Sequence, residues 1–157
     1  MCRTRSLISL LLCASLSACG YSFVLDGRTS AAKFVMEASA NRTSLIDAGT
    51  ILDASLERTL SSMGMLASGE SSKTVRATLV SFSTETVTAP SLTSPDRYRL
   101  HIRVTALVTD AQGKELWSMS FTDTGTYSEG GRTEDALEEA SRRVSLQMAR
   151  ALASAGL

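Results

Sequence analysis

A run of strict two-residue alternation narrows the possible folds more than any other feature of the chain. Arg97, Arg99, His101, Arg103, Thr105 and Thr109 take one set of alternate positions; Tyr98, Leu100, Ile102, Val104, Ala106 and Val108 take the other. Successive side chains of a strand point to opposite faces, so this segment buries one face and leaves the other in water. Such a sheet needs a second layer over its apolar side. Asp110-Ala111-Gln112-Gly113 supplies turn residues, and residues 115–127 return with Trp117, Met119 and Phe121 on one side, which predicts a hairpin. Those three side chains read as core rather than as a ligand cage.

Upstream, residues 73–87 are rich in Val, Thr and Phe and read as a long strand. Leu79, Val80 and Phe82 cannot all face one side, so a bulge is expected near Val80. A first strand is expected at residues 31–39, with Phe34 and Met36 on one side, Lys33, Val35 and Glu37 on the other, and a break at Ala40-Asn41-Arg42-Thr43. Between the two, from Asp47 onward, Ile51, Leu52, Leu56, Leu60 and Met63 recur three to four residues apart, which predicts a helix closed by Gly64. Residues 67–72 form a polar loop. The last helix is expected from Thr133, as N-cap, to about Ala155, burying Leu137, Ala140, Val144, Met148 and Ala151/Leu152. Glu134, Asp135, Glu138 and Glu139 precede Arg142, Arg143 and Arg150, an order that suits the helix dipole. The predicted order β-α-β-β-β-α is an α+β fold, a two-layer sandwich: about four mainly antiparallel strands covered on one face by two helices.

The N-terminus carries a second constraint. Arg3 and Arg5 precede the apolar run Ser6-Leu7-Ile8-Ser9-Leu10-Leu11-Leu12-Cys13-Ala14 and the small residues Ser15, Ser17 and Ala18, the order of an export signal over residues 1–18. The run is roughly half of the ~20 residues a membrane-spanning helix requires, and no later stretch approaches that length. Leu16-Ser17-Ala18-Cys19 resembles the bacterial lipobox, which implies cleavage before Cys19, a diacylglyceryl group on its thiol and acylation of the new amino terminus. Two or more acyl chains anchor stably where one is marginal, at about 0.8 kcal/mol per buried methylene. The other reading is an ordinary secretory signal with a chance cysteine. In lipoproteins generally an Asp after the cysteine signals inner-membrane retention; Gly20 stands there, which favours the outer membrane. The expected organisation is a signal at 1–18, a lipidated tether at 19–30 and one domain at 31–157, a size that suits a single core.

Cys2 and Cys13 leave with the signal, so Cys19 is the sole thiol of the mature chain and no disulfide is expected. His101 is the only histidine, so no zinc site of the Cys and His kind can be assembled, and no cofactor is expected beyond the covalent lipid. Loss of Arg3 and Arg5 leaves 14 basic against 16 acidic residues, net about −2, the wrong sign for a nucleic-acid partner. A hydrolase triad would have to use His101, and no glycine-flanked nucleophile turn precedes a helix. Nothing selects a catalytic pair among the carboxylates. The chain is therefore not expected to be an enzyme.

Taken in order, Cys19-Gly20-Tyr21, the strand running into Asn41-Arg42-Thr43, the helix from Asp47 to Met63, Gly113-Lys114-Glu115-Leu116-Trp117 at the hairpin and the acidic start of the last helix resemble the lipopolysaccharide-assembly lipoprotein (LptE) family of Gram-negative outer membranes. The resemblance implies two helices on a four-stranded sheet and a periplasm-facing lipoprotein held to the outer membrane by its lipid. It also implies a seat in the lumen of the large β-barrel protein LptD, a role in folding that partner, and help in delivering lipopolysaccharide to the outer leaflet. The sequence departs from better-known members in lacking His or Lys after Cys-Gly-Tyr and in its Ser/Thr-rich residues 83–94. The alternative is a free-standing outer-membrane lipoprotein that binds or scaffolds other envelope components.

Within this frame Arg97, Arg99, His101 and Arg103 are the candidate lipopolysaccharide-binding residues. Strand geometry spaces them about 7 Å apart on one face, and arginine forks suit the phosphates and carboxylates of a lipid A head and inner core. The plainer reading of the same stripe is a solvated sheet face whose charges keep an edge soluble. Segment 89–96, with Pro90 and Pro95, exceeds what a hairpin needs; it is either a contact with barrel or lipid or a tolerated insertion.

Overall fold

A computed structural model describes residues 32–67, 69, 71–87 and 97–157. The export signal, Cys19, the tether at 19–30 and segment 89–96 lie outside the described residues. The chain divides into Met1–Ser30 and Ala31–Leu157, and the described elements belong to the second. They are β1 (Val35–Asn41), α1 (Ala48–Ser62), β2 (Lys73–Val87), β3 (Arg97–Asp110), β4 (Glu115–Ser128) and α2 (Thr133–Ser154).

The sheet runs β1-β2-β3-β4. β2, β3 and β4 form the expected antiparallel meander, and β1 lies parallel to β2. Parallel neighbours cannot be joined by a tight turn, and α1 supplies the crossover between them. α1 packs on β1 and β2, α2 packs on β3 and β4, and the two helices pack on each other. The core therefore lies between helices and sheet: Leu52, Leu56 and Leu60 of α1 and Leu137, Val144, Met148 and Leu152 of α2 meet Val75, Ala77, Leu79, Leu100, Ile102, Val104, Ala106 and Val108, all buried. Each large side chain so buried contributes about 1.5–3 kcal/mol.

The bulge falls where the apolar pattern requires it. Leu79 pairs with Val104 and Ser81 with Arg103, which leaves Val80 as the extra residue. Counted by strict alternation from Val75, Ala77 and Leu79, the odd-numbered residues would continue inward. The inserted residue turns the strand over, so Phe82 joins the helix side opposite Ile102, while Ser81, Ser83 and Glu85 face the open side. Deleting Val80 removes one residue and one inversion together, so it returns β2 to regular pairing with every other side chain on its present face. The deletion is expected to keep the fold at a cost of about 1 kcal/mol in urea unfolding, typical of a mild substitution; loss of cooperative unfolding would show that the bulge itself holds the sheet.

Chain reversals use special backbone positions. Gly64 has φ +67°, its N–H donates to Ser61 O (3.0 Å), and the Met65 N–H donates to Leu60 O (2.8 Å). That pair of bonds closes α1 as a Schellman motif, with Met65 and Leu60 both buried beside it. In the β3–β4 turn, Gly113 (φ +79°) donates to Asp110 O (3.0 Å), and Asp110 Oδ1 accepts from the N–H groups of Gln112 and Lys114, both at 2.9 Å.

Several sequence expectations are corrected. β1 starts at Val35 rather than residue 31 and includes Ala40 and Asn41, which the turn-prone composition had placed in the break. The register shift between Glu37 and Ala40 lets the strand continue past that point, until Asn41 Oδ1 accepts from the Thr43 N–H (2.9 Å) and hydroxyl (2.7 Å) and turns the chain toward α1. Met63 is the exposed C-cap of α1, outside its buried stripe. Thr133 is the first residue of α2 rather than its cap; Arg132 takes the cap position without a side-chain hydrogen bond. Acidic Glu134 and Asp135 do occupy the first turn, but the last turn carries no basic residue, so only half of the dipole complement forms. Met119 is exposed and Trp117 half-buried near the turn end of β4, beyond the better-covered Phe121.

Candidate functional site

The open face of the sheet is built by the same alternation that builds the core. With Leu100, Ile102, Val104, Ala106 and Val108 turned to the helices, Arg97, Arg99, His101 and Arg103 are brought together in one row on the other side, as expected. β3 is a central strand, and register fixes the neighbours of each side chain in the row. Arg97 lies between Val87 and Ser128, Arg99 between Glu85 and Thr126, His101 between Ser83 and Thr124, and Arg103 between Ser81 and Thr122. Apart from Val87 and Glu85, the flanking residues are serines and threonines, whose hydroxyls donate or accept without adding charge. Beyond it Thr105 Oγ1 and Ser120 Oγ are 2.9 Å apart, which continues the hydroxyl surface.

The row frames two open hollows. Val87, Arg97, Arg99, Thr126 and Ser128 line one of about 380 Å³. Ser81, Ser83, Glu85, His101, Arg103 and Thr122 line a second of about 470 Å³. Glu85, absent from the sequence-level candidates, sits between them. Its Oε1 accepts from Arg99 Nη1 at 2.7 Å, and its Oε2 lies 3.4 Å from His101 Nε2. Strict alternation would have put this carboxylate in the core; the expected bulge at Val80, followed five residues further along β2, is the signal that turns it to the open face. Arg97 and Arg103 have no carboxylate within 4 Å among the described residues.

The same face carries a second ion pair, Arg76 of β2 with Glu37 of β1. The hydrogen bond to Glu37, and then its charge, push the Arg76 guanidinium further toward its protonated form. At the far edge of the sheet, side chains of α2 reach β4. Glu139 Oε2 accepts from the Thr126 N–H (3.0 Å), Arg143 Nη1 donates to Thr124 O (3.2 Å), and Gln147 donates to Asp123 (2.7 Å). At β1, Asp53 of α1 accepts from the Ser39 N–H (2.8 Å).

Among the described residues no group of three or more His, Cys, Asp or Glu side chains is arranged to hold a metal, and no helix is long and apolar enough to cross a membrane. The chemistry offered by the open face is recognition: guanidinium forks and hydroxyls spaced along a rigid strand.

Comparison with known proteins gives one family. The lipopolysaccharide-assembly model, LptE, matches residues 32–152. Among solved structures, a protein from Caulobacter crescentus CB15 described as a lipoprotein superposes with a TM-score of 0.55 at 16% identity, over 79% of this chain and 92% of that one. A minor lipoprotein from Acinetobacter baumannii gives 0.54 at 15% identity, over 79% and 94%. The PelC dodecamer from Paraburkholderia phytofirmans gives 0.50 at 18% identity, over 76% and 86%. No curated protein sequence matches the chain. At these identities the likeness establishes the shared α+β architecture, and the family assignment rests on the sequence match.

Proposed function

Because the chain belongs to the LptE lipopolysaccharide-assembly family, we propose that it is the subunit of an outer-membrane lipopolysaccharide translocon that works by binding: anchored through lipid on Cys19, facing the periplasm, and seated as plug and assembly factor in the β-barrel protein LptD. The observation that carries this reading is the family match across residues 32–152, nearly the whole described domain. The open face supports a second element of it, in which Arg97, Arg99, His101 and Arg103 meet the phosphates of lipid A. A helix layer closes one side of the sheet, so the cation row is left on the side a ligand can approach.

Two measurements test the reading separately. The tagged full-length protein, extracted in detergent, is expected to bring down a very large β-barrel protein in a stable complex; recovery of the chain alone would remove the translocon role. The double substitution Arg97→Glu and Arg103→Glu reverses charge at both ends of the row. It is expected to weaken lipid A binding about tenfold or more, since each charged hydrogen bond is worth ~1.5–3 kcal/mol. Both residues are exposed, so thermal unfolding should be nearly unchanged. Unaltered affinity would leave the row as a solvated face.

A further inference from the structure

The row is interrupted at its middle by an anion of the protein's own. Glu85 spans Arg99 and His101, one carboxylate oxygen toward each, while Arg97 and Arg103 at the ends carry no described acidic partner. We infer that Glu85 is an internal competitor for the anionic group of the ligand: it fills the central subsite of the row and so sets both affinity and the kind of ligand accepted. The inference rests on the reading of this face as a lipid A site and adds the residue that tunes it.

Geometry and energetics agree on how the device works. Six residues of strand separate Arg97 from Arg103, a span of about 20 Å. A ligand carrying one phosphate can neutralise one end alone, and Glu85 then repels it from the centre. A headgroup with two or more phosphates can hold a free end while a second anionic group displaces Glu85 from Arg99. The displacement is inexpensive, because the side chains of Glu85, Arg99 and His101 are 51%, 42% and 41% exposed and a surface pair in that setting is weak. Glu85 then swings into water without leaving a buried charge behind. The carboxylate therefore favours multiply phosphorylated glycolipid over isolated phosphate while leaving the bound ligand able to depart.

The test is lipid A binding to the full-length protein in detergent, comparing wild type with Glu85→Gln and Glu37→Gln. Both substitutions raise net charge by one, and both break an ion pair on the same face, but Glu37 sits with Arg76 away from the row. Glu85→Gln is expected to tighten binding about three- to tenfold. It should also raise the ability of inorganic phosphate to compete, with Glu37→Gln near wild type in both respects. Equal tightening by the two variants would reduce the effect to overall charge and overturn the inference, as would unchanged or weaker binding in Glu85→Gln. If Glu85→Gln is inert while Arg97→Glu with Arg103→Glu still abolishes binding, the inference alone falls. If the double arginine variant also binds like wild type, the reading of the face falls with it.

Discussion

Replacing Gly125 by alanine is expected to cost the domain about 3 kcal/mol or more, and Gly125→Val to prevent folding. Gly125 is buried on the helix side of β4, opposite Leu100, where the first turns of α2 cross the strand. A methyl group built there would meet backbone rather than flexible side chain: Ala136 O at 1.8 Å, its carbonyl carbon at 2.6 Å and its Cα at 2.8 Å. No rotamer change relieves such a contact, so α2 must lift from the sheet. Overpacking of a core commonly costs ~1–3 kcal/mol, and a clash with helix backbone belongs at or above the top of that range. A domain of this size has about 5–15 kcal/mol to lose. Urea unfolding of Gly125→Ala measures the effect; a loss below about 1 kcal/mol would show that α2 is seated loosely.

Phe34→Ala is the second large effect, expected at about 3–5 kcal/mol. Phe34 is fully buried and lies just before β1, where its N–H donates to Met65 O (2.8 Å) and its carbonyl accepts from the Ala67 N–H (2.9 Å). This residue therefore fastens the start of the domain to the segment that leaves α1. Alanine keeps the two main-chain bonds and removes the ring, which isolates the packing contribution. A Phe34→Leu variant should recover more than half of the loss, because volume-conserving changes cost less. Equal destabilisation by both variants in thermal unfolding would mean that the aromatic shape, rather than buried apolar volume, holds the site.

These two residues also show what sequence alone can and cannot reveal. Phe34 was legible as an inward residue from alternation with Lys33 and Val35, although the strand was expected to begin four residues too early. Gly125 gave no local signal, because its constraint comes from a helix eleven residues away along the chain pressing on it in space. The meander of β2, β3 and β4, the bulge and both helices followed from periodicity, which is a local property. The parallel placement of β1 follows from the crossover, a relation between elements that no single window contains. The cation row was legible for the same reason as the core, since both are halves of one alternation in β3. Its central partner was not, because pairing Glu85 with Arg99 requires the register of two strands as well as the inversion at Val80.

The side chains that α2 lays across Thr124 and Thr126 have a consequence for assembly. Among the described residues β4 is the last strand of the sheet, and an edge strand ordinarily offers its main chain to any extended peptide that arrives. Here Glu139 and Arg143 already satisfy one amide and one carbonyl at the end of the sheet that carries Arg97 to His101. A fifth strand cannot be templated onto that stretch without first breaking charged bonds. The cationic surface is thereby kept from being continued sideways into a larger sheet.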